Sequence, residues 1–300
     1  MAFGLPGNRA EALVSRVGDI MTLPHVVKEV ISLTHDPNSN NKKIAAVVAN
    51  DPVLAAKLLR TANSSFFGFL SKTTDIDGAI VRLGTKQVRS LAMAVGVGNM
   101  FSGGADKDGY SRLELWKHSV AVGTMNQIMT SLCQVPGIRQ LGGEALLTGL
   151  VHDIGIIIED QYLPNKWPQV PASAYMLRES LPIIESQQFG FNHAAVGGLL
   201  LKRWKFADTV IAAVTLHHDR SVAQDSLLGS MTAMSEFLVA RAGVGYCDIN
   251  SEKISQAEFE ALQKRLGLMG PTLGQVRDTF ASRIAEALEI FALQPAGAGR

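Results

Sequence analysis

The sequence predicts an all-α protein, and three observations carry that reading. Aromatic residues make up only 6% of the chain, strict alternation of apolar and polar positions is hard to find, and apolar residues recur mostly three and four apart. Helix punctuation agrees with the periodicity. In DPVLAAKLLRTANSSFFG (51–68), Asp51 can accept from free backbone N–H groups as an N-cap, and Pro52 has its φ preset for the first helical position. Leu54, Ala55, Leu58, Leu59 and Ala62 then share one apolar face, with Lys57 and Arg60 outside it.

Similar helices are expected near 24–34, 41–50, 76–83 and 85–101, before SGGADKDG (102–109) interrupts the pattern with glycine and charge. That gap divides an N-terminal helical unit, 10–105, from a helical core, 106–245. The core opens on YSRLELWKHSVAVGTMNQIMTSLC, where Leu115, Val122, Met125, Met129 and Leu132 form a stripe that also holds His118. Further helices are expected near 142–158, 172–188, 193–204, 207–218 and 226–242. Two more, near 255–266 and 272–292, make a C-terminal extension over 250–293 before the tail QPAGAGR.

Composition narrows the function classes. Twenty-eight basic against 27 acidic residues leave a net charge of +1, so no bulk attraction to nucleic acid or an anionic membrane is expected. Lys57, Arg60, Arg82, Lys86 and Arg89 read as solvated faces of amphipathic helices rather than as a nucleic-acid surface. Cys133 and Cys247 stand far apart without C-x-x-C spacing, which fits a reducing compartment. The start, MAFGLPGNRAEALV, lacks the pattern of a signal peptide, and no run reaches the ~18 uninterrupted apolar residues of a membrane span. The expectation is a cytoplasmic protein with no membrane association.

Five of the seven histidines fall in the second half, on or at the ends of expected helices: His118, His152, His193, His217 and His218. Glu114 lies one turn before His118, so both can project from one face. His152 and Asp153 sit together in the apolar segment GLVHDIGIII (149–158), about 100° apart on a helix, so that the imidazole can bind one ion while the carboxylate reaches between two. Asn192 is a plausible N-cap that would project His193 from a helix start, and His217 and His218 close another helix. Taken singly, each histidine reads as a core residue hydrogen-bonded to a neighbour. Taken together, imidazoles and carboxylates on successive helices suit one or two ions of Fe, Mn or Zn, and two such ions about 3.5–4 Å apart can clamp a phosphoryl group and generate hydroxide.

The segments IMTLPHVVKEVISLTHDPNSNNKKIAAVVANDPVLAAKLLRTANSSFFG (20–68) and IDGAIVRLGTKQVRSLAM (76–93) closely resemble the HDOD family, HD-related output domains of bacterial signalling proteins. The resemblance spans about residues 16–220. It implies a small N-terminal helical bundle packed on an HD-superfamily helical core. It also implies a regulatory role through binding of signalling proteins. The core is similar in addition to the HD-GYP phosphodiesterases, which hydrolyse cyclic di-GMP at a metal centre of two or three ions. Their ligand series places Glu114, His118, His152, Asp153, His193, His217 and His218 as metal ligands, with Asp153 as the catalytic candidate if the site is active.

The chain departs from those enzymes in three places. Their final aspartate falls inside LLGSMTAMSEFLVARAG (227–243), where Ser235 best fits the position and Glu236 stands one residue out of phase. Their G-Y-P segment corresponds here to DRSVAQDS (219–226). The lysine of H-D-I-G-K, which can be aimed at a phosphate, is Ile156. The expectation is therefore a regulatory module with a retained but catalytically degenerate metal site, with a metal-dependent phosphohydrolase as the alternative.

Overall fold

The structure, a computed structural model, describes residues 6–17, 23–64, 71–103, 110–219, 226–245 and 254–293. Among them there are helices and no β-strand, as the three-and-four spacing requires. The N-terminal half holds α1 (Pro6–Arg16), α2 (His25–His35), α3 (Asn41–Ala49), α4 (Pro52–Asn63), α5 (Ile76–Leu83) and α6 (Thr85–Gly98). The middle of the chain supplies α7 (Arg112–Leu132), α8 (Gly142–Val151), α9 (Ile154–Tyr162), α10 (Gln169–Leu177), α11 (Leu181–Phe189), α12 (His193–Arg203) and α13 (Asp208–Leu216). The chain closes with α14 (Leu227–Ala242), α15 (Gln256–Leu266) and α16 (Pro271–Ile290).

The caps read from the sequence are present. Asp51 Oδ1 accepts from the N–H groups of Val53 and Leu54, each at 3.0 Å, and Asn192 Oδ1 accepts from Ala195 N at 3.0 Å. Helix α1 was not among the expected elements; it packs on α12, where Arg203 Nη1 donates to the carbonyls of Val14 and Val17.

Helix α7 is the axis of the core, flanked by α8, α14 and α16. It is buried almost continuously from Leu115 to Thr130. Contact with α8 is made at backbone level: a Cβ on Gly149 would stand 2.2 Å from Gly123 N, so no larger residue fits at this crossing. Besides α1 on α12, the N-terminal half meets the core through α6, which packs on α2 on one side and α8 on the other. One continuous apolar cluster runs from Ala10 to Phe291. The stretch Ile138–Tyr162 is apolar enough to pass for a membrane span, but 78% of its most apolar window is buried inside this cluster.

Three expectations need correction. The helix expected over 142–158 is two helices, broken at His152 and Asp153, with the Asp153 backbone at φ −99°, ψ 13°. Each flank of the break is pinned by a glycine, Gly149 against α7 and Gly155 against α12, where a Cβ would stand 2.0 Å from the His193 carbonyl oxygen. The helix expected over 172–188 is likewise α10 and α11, because Arg178 adopts a left-handed φ of 55° and Pro182 belongs to the first turn of a new helix. Lys57, read as solvated, is 9% exposed and donates to the Ala292 carbonyl at 3.1 Å.

Of the expected boundary at 102–109, residues 104–109 lie outside the described residues, as do Cys247, the tail 294–300 and 220–225 of DRSVAQDS. Cys133 is a free, buried thiol, and burial pushes it up to about 11, leaving it a protonated core residue.

Candidate metal centre

Six of the seven side chains expected to bind metal converge. Helix α7 supplies His118, the α8–α9 break supplies His152 and Asp153, the first turn of α12 supplies His193, and the end of α13 supplies His217 and His218. The broken helix matters here. With Asp153 as the residue before α9 rather than a position within a continuous helix, its carboxylate is set between the two groups of imidazoles.

Asp153 Oδ2 faces His152 Nε2 at 3.1 Å and His118 Nε2 at 3.8 Å. Its other oxygen, Oδ1, faces His193 Nε2 at 3.3 Å and His217 Nε2 at 3.6 Å. Two donor groups result, His118–His152–Asp153–Glu236 and Asp153–His193–His217–His218, each with its ligand atoms within 4.8 Å of one another. Asp153 belongs to both, as a carboxylate bridging two ions would.

Glu236 is the member that sequence phase misplaced. Ser235, the expected counterpart of the last aspartate, instead donates its Oγ hydrogen to Asn126 Oδ1 at 2.8 Å. Asn126 Nδ2 in turn donates to Ala145 O and Thr232 Oγ1, so Ser235 belongs to a polar staple between α7, α8 and α14. The following residue, about 100° round the helix, carries its carboxylate to the converging histidines: Glu236 Oε1 stands 2.8 Å from His152 Nε2 and 3.8 Å from His118 Nε2, and Oε2 stands 4.0 Å from His218 Nδ1. Glutamate has one methylene more than aspartate, which lets a residue one position along the helix deliver the same group. Glu114 enters neither group; its Oε1 pairs with Lys117 Nζ at 2.6 Å on a half-exposed face.

The imidazole tautomers are set from outside the centre. His152 Nδ1 donates to Gly149 O at 2.7 Å and His217 Nδ1 donates to Val214 O at 2.6 Å. On α11, Glu185, wholly buried, accepts from His193 Nδ1 at 2.7 Å and from His193 N at 2.8 Å. With the hydrogens on Nδ1, the Nε2 atoms of these three residues point inward, those of His152 and His217 at carboxylate oxygens and that of His193 at Asp153 Oδ1 and, at 2.9 Å, at His218 Nε2. The Nε2 atoms of His152 and His217 are buried and have no hydrogen-bond partner. Lone pairs facing carboxylates repel unless a proton or a metal cation stands between them, and so many imidazole and carboxylate donors around one point fit a divalent metal.

Protonation in the metal-free centre follows the same logic. Burial pulls His152 down, but the Asp153 and Glu236 carboxylates outweigh it and lift the residue to about 10. His193 is also raised, burial being outweighed by Glu185 and Asp153. Burial raises Asp153 and Glu236, yet the surrounding histidines hold both well below the usual carboxylate range. His218 is pushed down by burial and by His217. Behind Glu185 lies Glu159, wholly buried and raised by burial and by the Glu185 charge, hence a neutral acid. Neither glutamate was found from sequence; the only available signal was a carboxylate inside an otherwise apolar run.

The HDOD domain family model matches residues 20–220 of this sequence. The chain belongs to the HDOD family. Among solved structures, this HDOD chain is similar to an HDOD domain protein of unknown function from Geobacter sulfurreducens, with a TM-score of 0.75 at 19% identity over 96% of this chain and 99% of that one. A protein from Shewanella amazonensis SB2B, provisionally named a phosphohydrolase, gives 0.69 at 23% identity over 93% and 97%. One from Marinobacter aquaeolei VT8, provisionally named a signal transduction protein, gives 0.68 at 22% identity, with 95% of this chain and 65% of that chain covered. At these identities the likeness establishes the fold. In sequence, the chain is 24% identical over 212 residues to an uncharacterized protein from Treponema pallidum (strain Nichols), and spans 40% of that protein's length.

Proposed function

We propose that this HDOD protein is a signalling output module built around a two-ion metal centre, which passes its signal on by binding partner proteins. The observation that carries the metal assignment is the position of Asp153, with one oxygen toward each group of imidazoles and its carboxylate ringed by buried nitrogens. His118, His152, Asp153 and Glu236 would hold one ion, and Asp153, His193, His217 and His218 the other; Fe, Mn and Zn all suit such nitrogen-rich sets.

The regulatory reading is supported by how closed and how sparsely charged the surroundings are. Except for His218, at 14%, the ligand side chains are at most 8% exposed. Among the described residues no lysine or arginine pairs with Asp153 or Glu236. Ile156, where the enzymes carry a lysine, is buried in the apolar cluster at 1% exposure. Buried without a cationic side chain to receive a phosphate, the centre suits holding the helices in register better than turning over an anionic substrate.

A second reading, a metal-dependent phosphohydrolase, is favoured by Glu236, which supplies the carboxylate that Ser235 cannot. Bound ions would provide Lewis acidity and a hydroxide; the chain's own part would be Asp153 bridging and Glu185 orienting His193. The name of the Shewanella amazonensis relative points the same way. Metal analysis of the purified protein, with turnover of bis(4-nitrophenyl) phosphate measured with and without added Mn²⁺, separates the readings. Stoichiometric metal without turnover is expected. Turnover that Asp153→Ala abolishes would establish the hydrolase, and a protein that takes up no metal would overturn both.

A further inference from the structure

Away from the metal centre, α4 and the end of α16 enclose a cleft of about 210 Å³. Its walls are Val53, Ile290 and Leu293, and its cations are Lys57 and Arg60, one helical turn apart on α4. That volume exceeds the ~150 Å³ of an engineered apolar cavity that accepts benzene, so the cleft has room for on the order of six to ten non-hydrogen atoms.

The unusual member is Lys57. A lysine so deeply buried is ordinarily paired with a carboxylate. Here the ammonium, with three hydrogens to donate, has a single hydrogen-bond acceptor among the described residues, the Ala292 carbonyl. No carboxylate among them forms an ion pair with Lys57 or Arg60; Glu289 also lines the cleft, but it is exposed and pairs with neither. Burial and the neighbouring Arg60 charge pull Lys57 down to about 8, which reflects a cation site short of an anion.

We infer that this cleft binds a small organic anion, its charged head held by Lys57 and Arg60 and its aliphatic body laid against Val53, Ile290 and Leu293. Charge alone would favour inorganic phosphate and apolar walls alone would favour an alcohol; the combination favours a short-chain carboxylate or alkyl phosphate. The site lies at the seam between the N-terminal half and α16, and α16 packs along α7, the helix that carries His118. This inference is independent of whether the metal centre turns over substrate.

Calorimetric titration of the full chain with hexanoate and with butyl phosphate tests it, with hexan-1-ol and inorganic phosphate as controls. At least one of the two amphipathic anions should bind at one per chain with a Kd of about a millimolar, and both controls about tenfold more weakly or worse. Lys57→Met should weaken binding by about tenfold or more, while Lys57→Arg should stay within about threefold. Ala56→Glu, on an exposed wall of the cleft, adds a carboxylate that repels the ligand, and it keeps the test decisive if Lys57→Met fails to fold. Absence of binding by both anions, equal binding of hexan-1-ol, or unchanged affinity in Ala56→Glu would overturn the inference.

Discussion

Glu236 Oε1 stands 2.8 Å from Nε2 of His152, the ring nitrogen opposite the one that donates to Gly149 O, and a neutral imidazole held that way would present Nε2 as an acceptor. An acceptor facing an acceptor at this distance inside the core is stable only with a proton or a metal ion between them. In the metal-free chain the proton serves, which is why His152 is lifted to about 10. Were a metal bound there, Glu236 would be one of the residues that hold it, and the ion would take the place of that proton.

Glu236→Gln should therefore lower affinity at the His118–His152 side by roughly 10- to 100-fold, read by competition with a fluorescent chelator. Ser235→Ala, which removes only the bond to Asn126, should cost about 1 kcal/mol of stability and leave metal content unchanged. Equal metal loss in both variants would show that the last ligand had been misassigned.

Asp153 is shared, so its removal should not be partial. Metal analysis of Asp153→Ala is expected to show both ions gone, whereas His118→Ala and His217→Ala each spare the opposite group. Retention of one ion in Asp153→Ala would rule out the bridging role.

The metal-free protein should lose stability on the alkaline side. His152 and His193 have folded values raised above the ordinary 6.5, so their contribution is complete below about pH 6.5 and declines as pH rises through the folded values, about 10 for His152. Asp153 and Glu236 are depressed, so their contribution is present above the usual carboxylate range and is lost as acid protonates them. Denaturant unfolding in EDTA should show stability falling between pH 7 and 9 with a slope of order 1 kcal/mol per pH unit. Added metal should reverse that trend, because binding releases protons and tightens as pH rises. A flat profile in EDTA would contradict the protonation pattern.

Glu185 and Glu159 should separate cleanly. Glu185→Gln leaves His193 without the carboxylate that orients Nδ1 and should weaken metal binding roughly 10- to 100-fold. Glu159→Gln replaces a neutral acid with a neutral amide and should change stability by about 1 kcal/mol or less. Chemical denaturation together with metal titration of the two variants checks both.

The glycine on the far side of the break offers a steric test. A methyl on Gly155 would meet the His193 carbonyl at 2.0 Å, so Gly155→Ala must push α9 and α12 apart. It should cost about 3 kcal/mol and reduce metal occupancy with it. A near-neutral thermal shift would show that the two helices are not held at backbone contact.

What could be read from the sequence was set by where burial is one-sided. Half-buried helices such as α4 show their apolar stripe, and the caps Asp51 and Asn192 stand in the sequence as they stand in the fold. The six converging side chains stood out because polar donors in apolar surroundings are conspicuous, and the resemblance to the HD-GYP enzymes singled them out as candidate ligands. Periodicity fails where a segment is buried on every side. From Ala145 to Asp160 every residue is buried, so nothing in the pattern marks the break at His152. From Leu228 to Glu236 the same is true of α14, and with no exposed face to fix its phase Ser235 and Glu236 could not be told apart. The division of α10 from α11 did leave a sign, Pro182, which the apolar run around it outweighed. Lys57 was misplaced because its charge suggested solvent, whereas a carbonyl from the far end of the chain covers it.

The match to the HDOD family ends at residue 220, and Glu236 lies beyond it. The segment matched by the family model and the set of side chains proposed to hold metal therefore have different extents: the last donor comes from a helix outside the matched segment. Donors counted only within residues 20–220 would leave this centre one carboxylate short. In this chain the missing carboxylate is found only when the helix that follows the matched segment is read in both of two adjacent phases, Ser235 and Glu236.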